Sequence, residues 1–581
     1  MKIIKSSKLI FLLFYFGFFF NLIFPELFFS KPYYLRHEII KVFSDKNYDY
    51  LQVKKDNKIF KPFFKMDKFY FTEYTEDEKY FVSYIPLGFA PQKGEYEVLV
   101  YNDSKIISKN IFHVTGRPVH KVKTPFHAIT VEYGGNLNKV KVGNHYDNSY
   151  SHENIENIMD FMGIDNLFFM VGQTNAKLEN VKSENPWIRE NLNSWKKFAV
   201  NHNKLTLGGY AGCFLAFGPA KKKFPEYEFS YDYSQKYGLY RTNFISIDDR
   251  NRIDDIKKLI KIIENNPDVK YIGLDYIRAG QGGFENYDEF SRIFNIEIPG
   301  ESTKKKILNL AKMVKNDSKP GIKRKWEYFR AYKTSLVIEE VSKDSSKPLW
   351  TFLLGWEQGH NHGQDPIMFT DAGADLIFVM LYEATHDKYN EMMKSWQNYL
   401  ENVSGLQLIA GQDVDFILND SNDKNRSGPE EMLRRYKYSY DVFSTNDNLK
   451  GFFIHDLVRM FYGRLYPYSS KEWLYSAFSG LSYFDVKGKI IPLKIKSFIN
   501  NNNIIFKIKN ESEKDITVDK ITFFPKYNNG YDYKNLIIKK NTNYFFNLPY
   551  NYYNESGKRD NVTIIFHRKA EKNIVHMKYF K

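Results

Sequence analysis

The chain has 581 residues, which is enough for two or more domains, because a single hydrophobic core stops growing at about 250–300 residues. Its 84 Lys and Arg exceed its 69 Asp and Glu, but the basic residues are spread along the sequence and do not form the one-sided patch that a nucleic-acid-binding protein needs. Cys213 is the single cysteine, so an intramolecular disulfide, a thiolate zinc cluster and an iron–sulfur centre are all excluded.

The first 30 residues predict an export segment. Lys2, Lys5 and Lys8 precede the apolar run Leu9–Phe20, which is the order of charged and apolar regions in a signal sequence. The segment has no lipobox cysteine and no clear Ala-x-Ala site, so a cleaved signal peptide and an uncleaved membrane anchor both stay open. In either case we expect the remainder of the chain to be extracytoplasmic, whether secreted, periplasmic or attached to the membrane.

Residues 35–119 predict a small N-terminal β-sandwich of immunoglobulin-like size. Glu95–Tyr101 and Ile106–Val114 are rich in β-branched and aromatic residues, and the turn Asn102–Ser104 separates them at hairpin spacing. We expect this domain to end in the linker that begins at Gly116.

Residues 124–484 alternate between short apolar runs and amphipathic segments. Strands that are apolar throughout are typical of a parallel sheet covered on both faces, and eight βα repeats close into a (β/α)₈ TIM barrel. The eight predicted strands are Phe126–Tyr133, Asn166–Val171, Lys204–Gly209, Tyr271–Asp275, Pro348–Glu357, Ala374–Glu383, Gly405–Gly411 and Gly451–Asp456. The predicted helices between and after them are His152–Met162, Trp187–Trp195, Ile253–Ile263, Lys323–Val341, Met392–Leu400, Met432–Tyr440 and Trp473–Phe478.

From residue 485 to residue 581 the helical period stops and alternation returns. Ile504–Asn510, Ile521–Phe524 and Val562–Phe566 predict strands, with Asn- and Gly-containing turns between them. The sequence therefore predicts a C-terminal β-sandwich, so that two β domains flank the barrel.

Polar residues cluster where the predicted barrel strands end. The carboxyl ends of the strands surround one pocket in this fold, and burying several carboxylates there is unfavourable unless they serve a function. Glycoside hydrolysis needs a pair of carboxyl groups, and aromatic rings can support sugar faces. The candidate residues are Glu132, Gln173, Asp275, Tyr276, Arg278, Trp356, Glu357, Tyr382, Glu383, Asp413, His455 and Asp456.

Several of these residues also have a purely structural interpretation. Asp275 could pair with Arg278, Asp413 could cap the following segment, and Glu383 and Asp456 could be solvated rim carboxylates. The alternatives stay open at this stage.

A metal site is a weaker hypothesis. His360 and His362 flank Asn361 and precede Asp365, but two histidines at i and i+2 in a loop are poor support for a metal centre. We therefore expect no metal and no cofactor.

The segment Tyr271–Arg278 resembles the strand-four signature of hypothetical glycoside-hydrolase-like barrel families of bacterial exported proteins, an apolar pair, Gly, an apolar residue and Asp-Tyr-Ile-Arg. Asp375–Tyr382 resembles a second strand motif of these families, with Val379 where they have Pro, and a helical motif of the same families is matched by Trp326, Phe329 and Arg330. The resemblance covers about residues 126–462. It implies an extracytoplasmic carbohydrate-active enzyme in which Asp275 is a key carboxylate.

A further similarity, of position only, to α-amylase-like barrels implies roles for three carboxylates. Asp275 would be the nucleophile, Glu357 the general acid/base and Asp413 a stabiliser of the transition state. The Arg that those barrels have two residues before the strand-four Asp is Gly273 here. We expect burial beside Trp356 to keep Glu357 protonated.

The leading hypothesis is therefore a glycoside hydrolase that acts on a polysaccharide or surface glycan. The runner-up is a non-catalytic glycan-binding or envelope-scaffolding protein that keeps the barrel, because a fold does not fix a function. Membrane attachment through the N-terminal apolar segment stays open, and the oligomeric state is not predicted.

Overall fold

A computed structural model gives the fold of most of the chain. It describes residues 27–62, 66–73, 80–131, 159, 162–172, 205–216, 227–383, 385–413, 429–457, 477, 480, 481, 484, 493–500, 503–524, 533–549, 561–568 and 574–579. In this part of the chain no helix has the length and apolarity that crossing a bilayer requires. The helix predicted at 187–195 lies outside the described residues. Most of the predicted export segment, and most of each of the helices predicted at 152–162 and 473–478, also lies outside them.

The chain divides into two compact units. The N-terminal unit consists of Met1–Pro118, Tyr231–Tyr240 and Gly282–Tyr332. The barrel unit consists of Val119–Ser230, Arg241–Gln281 and Lys333–Lys581.

The N-terminal unit contains two β-sheets with a shared core. Its first strands are β1 Phe28–Phe29, β2 Tyr33–Leu35, β3 Ile39–Ser44, β4 Tyr50–Lys55, β5 Lys58–Ile59, β6 Phe71–Glu73, β7 Phe81–Pro86, β8 Gly94–Asn102 and β9 Lys105–Thr115. One sheet has the order β1-β3-β7-β6 and the other β2-β9-β8-β4-β5. Side chains from both sheets, such as Val42, Ile85, Val53 and Val98, form one buried cluster, as alternation along each strand requires.

The barrel unit is built on a closed parallel barrel. The next strands in the chain are β10 Ala128–Val131, β11 Asn166–Gly172, β12 Thr206–Gly212, β13 Phe229–Ser234, β14 Gly238–Ile245, β15 Val269–Asp275, β16 Leu349–Leu354, β17 Leu376–Met380, β18 Leu408–Asp413 and β19 Leu449–His455. Eight of them close in the order β10-β11-β12-β15-β16-β17-β18-β19, whereas β13 and β14 form a separate two-stranded sheet. The closed eight-stranded α/β barrel predicted from the sequence is therefore present.

In the described part of the chain, helices lie between consecutive barrel strands from β12 to β19, as predicted. Their bounds are α1 Arg250–Glu264, α2 Tyr287–Phe294, α3 Thr303–Lys315, α4 Ile322–Ser342, α5 Pro366–Ala372, α6 His386–Leu400 and α7 Pro429–Phe443. Helix α1 shows the general pattern, because it buries Ile253, Ile256, Leu259, Ile260 and Ile263 along one face. Its N-cap is Asp249, whose side chain accepts a hydrogen bond from the backbone N–H of Arg252.

Large aromatic rings fill the interior of the barrel. Trp350 and Phe378 have ring centroids 4.4 Å apart, and Phe378 and Phe453 have centroids 5.0 Å apart. Glycines on neighbouring strands make room for these rings. A Cβ on Gly273 would lie 2.3 Å from the Trp350 indole, and a Cβ on Gly411 would lie 2.0 Å from the Phe453 ring. The barrel is thus a packed core with no space for a longer side chain at these two positions.

The amino-terminal end of the barrel is closed by hydrogen bonds to the incoming chain. Asp375 accepts one from the backbone N–H of His120 at 2.9 Å and another from that of Leu349 at 3.1 Å. Gln407 donates to the His120 carbonyl at 2.7 Å and accepts from the Val122 N–H at 3.1 Å. Asp375, which belongs to one of the sequence motifs above, therefore has a structural role at the end opposite to the strand termini.

The C-terminal stretch forms two further antiparallel sheets. Its strands are β20 Leu493–Asn500, β21 Asn503–Asn510, β22 Ile516–Phe524, β23 Tyr533–Ile538, β24 Asn543–Pro549, β25 Asn561–His567 and β26 Ile574–Tyr579. The sheets have the orders β20-β21-β24 and β23-β22-β25-β26. Phe506 and Ile508 of the first sheet and Ile521 and Ile564 of the second belong to one buried cluster.

Candidate functional site at the carboxyl ends of the barrel strands

Asp275 is the last residue of β15 and faces the interior of the barrel. Residues 271, 273 and 275 share one face of the strand. Tyr271 packs against the barrel core, and a Cβ on Gly273 would meet Trp350 in the barrel interior, so this face points inward. The Asp275 side chain is 6% exposed, and one carboxylate oxygen accepts the backbone N–H of Tyr276 at 2.7 Å. The fourth barrel strand thus delivers a nearly buried carboxylate to the mouth, as the sequence predicts.

A buried thiol at the end of the adjacent strand and a buried guanidinium on helix α1 lie next to Asp275. Gly212 pairs in register with Asp275, and the backbone N–H of Cys213 donates to the Asp275 carbonyl at 2.8 Å. Arg252 on α1 is fully buried and donates to the carbonyls of Cys213 and Gly212 at 2.5 and 2.7 Å. Burial raises the pKa of Cys213 to about 12, Asp275 adds to the shift and Arg252 opposes it. This thiol is therefore protonated at neutral pH and has no nucleophilic role.

Arg278 provides a cation close to Asp275. Its guanidinium lies 4.9 Å from the centre of the Tyr276 ring and 5.8 Å from that of Phe244. Burial lowers the pKa of Arg278, and the Asp275 carboxylate opposes that shift because it favours the charged guanidinium. Asp275 therefore lies in the field of a partly buried positive charge.

The opposite side of the mouth carries an imidazole and a phenol. His455 ends β19, and its Nδ1 lies 2.8 Å from the Thr130 hydroxyl on β10. The ring of Tyr382 stacks on His455 with centroids 5.4 Å apart and an interplanar angle of 19°. Phe352 lies below them and forms the floor of the mouth. Its ring centroid is 6.2 Å from that of His455 and 5.6 Å from that of Tyr210. A polar rim over an aromatic floor suits a ligand with hydroxyl groups and apolar ring faces.

The segment after β16 differs from the expected extended strand. The strand ends at Leu354, and a 3-10 segment, Trp356–His362, follows in which Glu357 and Gln358 have left-handed backbone angles, φ 45° and φ 54°. Glu357 is exposed and Trp356 only partly buried. The predicted burial of Glu357 beside Trp356 is therefore wrong, because the left-handed turn directs the chain away from the strand after Gly355.

Gln364 fixes this segment against the Asp275 loop. Its amide donates to the carbonyls of Ile277 at 3.3 Å and Phe352 at 3.1 Å, and its carbonyl accepts the Leu354 N–H at 3.0 Å. The loops that follow the fourth and fifth barrel strands are thus held together by one buried side chain.

The histidine-containing loop has a structural explanation. Asp365 caps α5 by accepting the Met368 N–H at 2.8 Å, and it also contacts His360 Nε2 at 2.9 Å and accepts the Tyr399 hydroxyl at 3.1 Å. Among the residues the structure describes, no group of three or more His, Cys, Asp or Glu side chains is arranged to hold a metal ion. The His360–Asp365 pair therefore stabilises the turn into α5.

Glu383 and Asp456 lie beyond the ends of the sixth and eighth strands and are buried. The backbone carbonyl of Glu383 accepts a hydrogen bond from Arg435, whose guanidinium lies 4.7 Å from the Tyr389 ring centre. Burial raises the pKa of Tyr389 to about 12, so its hydroxyl stays neutral and accepts from the Gln412 amide at 2.9 Å. Helices α6 and α7 thus support the strand end that carries Glu383.

Three further predicted residues lie at or directly after the ends of β18, β10 and β11. Asp413 ends β18 and its backbone pairs in register with His455. Glu132 and Gln173 directly follow β10 and β11 and lie outside the described residues. The structure therefore brings Asp275, Tyr276 and Arg278 together on one side of the mouth, and His455 and Tyr382 on another.

Sequence reasoning missed several residues of the site. Thr130, Phe352 and Gln364 are uncharged, and each lies inside or next to a run that reads as core. Only inward alternation, counted back from a strand end, could have indicated Thr130 and Phe352. Arg252 directly precedes the predicted helix at 253–263, and its spacing of four residues from Ile256 could have shown that it continues the apolar face.

No protein-family model matches the chain, and no curated protein matches it. Among solved structures, an endoxylanase of glycoside hydrolase family 30 from Clostridium papyrosolvens is 8% identical, with a TM-score of 0.34 over 74% of this chain and 95% of that one. A pullulanase from Anoxybacillus sp. is also 8% identical, with a TM-score of 0.32 over 87% of this chain and 84% of that one. At these values the likeness assigns neither an activity nor any residue role to this chain.

Proposed function

We propose that this chain is a glycoside hydrolase whose active centre lies at the carboxyl ends of the barrel strands. One observation carries the proposal: Asp275 faces inward at the end of β15, nearly buried, above a floor of aromatic rings. A nearly buried carboxylate at this position can attack a sugar carbon or activate water, and the positive charge of the neighbouring Arg278 interacts favourably with it.

Glu357 is the proposed general acid. It follows the fifth barrel strand, whose backbone pairs with that of the strand carrying Asp275. An exposed carboxyl group can fill this role once a glycan covers it, because removal from water favours the protonated form. Asp413, at the end of the seventh strand, is the proposed electrostatic stabiliser of the oxocarbenium-like transition state.

The other polar residues at the mouth are the proposed sugar contacts. Tyr382 and His455, stacked on one another, offer a ring face and a hydrogen-bonding edge. The remaining members of the set are Glu132, Gln173, Tyr276, Arg278, Trp356, Glu383 and Asp456. The substrate in this proposal is a polysaccharide or surface glycan.

The flanking domains and the compartment complete the proposal. We infer that the sheets on either side of the barrel in sequence are β-sandwich domains that position the barrel or bind glycan. The basic and apolar N-terminal segment supports action outside the cytoplasm, in secreted, periplasmic or membrane-attached form.

The test compares two Asp→Asn changes at opposite ends of β15. Asp275→Asn should lower hydrolysis of any cleaved member of a glycan panel by at least about a hundredfold, because a group acting in proton transfer or attack is lost. Asp268→Asn is the matched control, since Asp268 lies just before the first residue of β15, at the opposite end of the barrel. Equal rates in wild type and Asp275→Asn would refute the assignment.

Glu357→Gln tests the second role separately. We expect its loss to be largest for substrates with poor leaving groups, because a general acid matters most when the departing oxygen needs a proton. An equal loss for activated aryl glycosides and natural glycans would contradict the role of Glu357 and leave that of Asp275 untouched.

A non-catalytic glycan-binding protein is the second candidate. The partly buried Arg278 next to Asp275 favours it, because charge compensation is also what a purely structural carboxylate would need. Glycan binding without hydrolysis, unchanged by Asp275→Asn, would decide for this candidate.

A further inference from the structure

The N-terminal unit contains a cleft that the proposed chemistry does not use. The cleft has a volume of about 680 Å³, within the usual range of ligand pockets. Its walls come from the chain around β6 on one side and from the α2 terminus and the start of α4 on the other. Asp67, Lys68, Tyr70, Phe294 and Lys325 are among the residues that line it.

Two lysines, Lys68 and Lys325, are among the residues that line the cleft. Within the described residues neither Lys68 nor Lys325 forms an ion pair, and the Lys68 ammonium lies over the Tyr50 ring at 4.2 Å. Arg324, the other cation at the cleft, is already committed to Glu327 at 2.6 Å. Lys325 is partly buried, and its pKa is lowered by burial first and by the nearby Lys319 second. A partly desolvated ammonium beside a second cation is stabilised by an incoming anion.

The other lining groups suit a sugar. Tyr70 is 44% exposed and presents a ring face, and the buried Phe294 lies in the other wall. Asp67 supplies carboxylate oxygens, which accept hydrogen bonds from hydroxyl groups. A ligand that satisfies all of these groups combines hydroxyls, an apolar ring face and a negative charge.

We propose that this cleft binds an anionic sugar residue, a uronate or a sulfated sugar, of an acidic glycan. Lys325 and Lys68 pair with the acidic substituent, Asp67 accepts from hydroxyls and Tyr70 supports the ring. The choice of glycan as ligand rests on the proposed function, and it names an acidic polysaccharide as the substrate class. The formal net charge of +15 agrees with this choice, since it favours encounter with polyanions.

Binding to the full-length chain tests the proposal, with Asp275→Asn as the background so that no probe is hydrolysed. The acidic probes are trigalacturonate, a hyaluronate hexasaccharide and a chondroitin sulfate hexasaccharide; the neutral ones are methyl-esterified trigalacturonate, xylohexaose and maltohexaose. At least one acidic probe should bind, and neutral probes should bind about tenfold more weakly or not at all, because they lack the charge-assisted contact.

Lys325→Met and Lys68→Met should each raise the dissociation constant about tenfold. Lys323→Met is the matched control: Lys323 is exposed on the same helix and does not line the cleft, so its affinity should stay within about twofold. The assignment of the cleft as a binding site would be refuted if no acidic probe binds, or if binding is unchanged in both lysine variants. Lysine-dependent binding without any hydrolysis by wild type would refute only the hydrolase, and hydrolysis without such binding would refute only the cleft.

Discussion

Gly411 and Phe453 face each other across the paired strands β18 and β19, and this pair gives a quantitative test of the barrel core. A Cβ on Gly411 would lie 2.0 Å from two carbons of the Phe453 ring, whereas ordinary contact begins at 3.4 Å. The ring would have to move by about 1.4 Å, the gap between those two distances, and Phe378 and Phe352 lie behind it at 5.0 and 5.7 Å between centroids. We expect Gly411→Ala to destabilise the barrel by about 3 kcal/mol, at the upper end for overpacking.

Scanning calorimetry of the full chain measures this effect as a fall in melting temperature of roughly 6 °C, at about 2 °C per kcal/mol for a unit of this size. The second half of the test replaces the ring. Phe453→Val removes the three ring atoms that the new methyl would meet, so Gly411→Ala in that background should cost less than about 1 kcal/mol. Gly405→Ala serves as a control for backbone strain alone, since Gly405 has φ +81° and open space around it.

The coupling energy between positions 411 and 453 decides between a steric and a non-steric role of the glycine. A coupling energy of about 2 kcal/mol or more between positions 411 and 453 is the result we expect. An unchanged melting temperature in Gly411→Ala, or the same loss with Phe and with Val at position 453, would refute the steric account of the glycine.

Two further predictions concern buried polar groups. Asp375→Ala should destabilise the barrel by roughly 2–4 kcal/mol, because the His120 and Leu349 N–H groups lose their acceptor, and unchanged guanidinium unfolding would contradict this role. Cys213, with its pKa raised to about 12, should be labelled by a thiol reagent at pH 8 only as fast as the protein unfolds. Its contribution to stability should be complete below about pH 8.5, the unfolded value, and decline as the pH rises above it; rapid labelling of native protein would contradict both statements.

The barrel could be predicted because its strands are short, apolar runs that a sheet covered on both faces requires. The order of residues also distinguishes the two ends of a strand. Asp275 comes after its apolar run and lies at the mouth, whereas Asp375 comes before Leu376–Met380 and closes the opposite end. A strand motif alone does not distinguish a catalytic carboxylate from a structural one. The position of the carboxylate before or after the apolar run makes that distinction.

Other features left no pattern to read. The extension of the fifth strand to Glu357 failed because Glu357 and Gln358, which are not glycines, adopt left-handed angles that sequence preference disfavours. The hairpin β13–β14 was missed because most of its β14 side chains stay exposed or partly exposed, so no clear alternation of polarity marks it. The interior glycines opposite aromatic rings depend on strand register, which single-sequence periodicity does not supply.

The way the N-terminal unit is assembled has consequences for recombination of the gene. Three separated stretches of sequence build this unit. The first and the third pack together: the ring centroids of Phe89 and Tyr328 are 5.6 Å apart, and the Arg324 guanidinium lies 5.4 Å from the centre of the Phe89 ring. A crossover near residue 118 would therefore transplant only one of the three parts and strip cover from the buried Tyr328. The β-strands of residues 493–579, by contrast, come from one uninterrupted stretch with a hydrophobic cluster of their own, so a crossover ahead of residue 493 would keep that cluster intact.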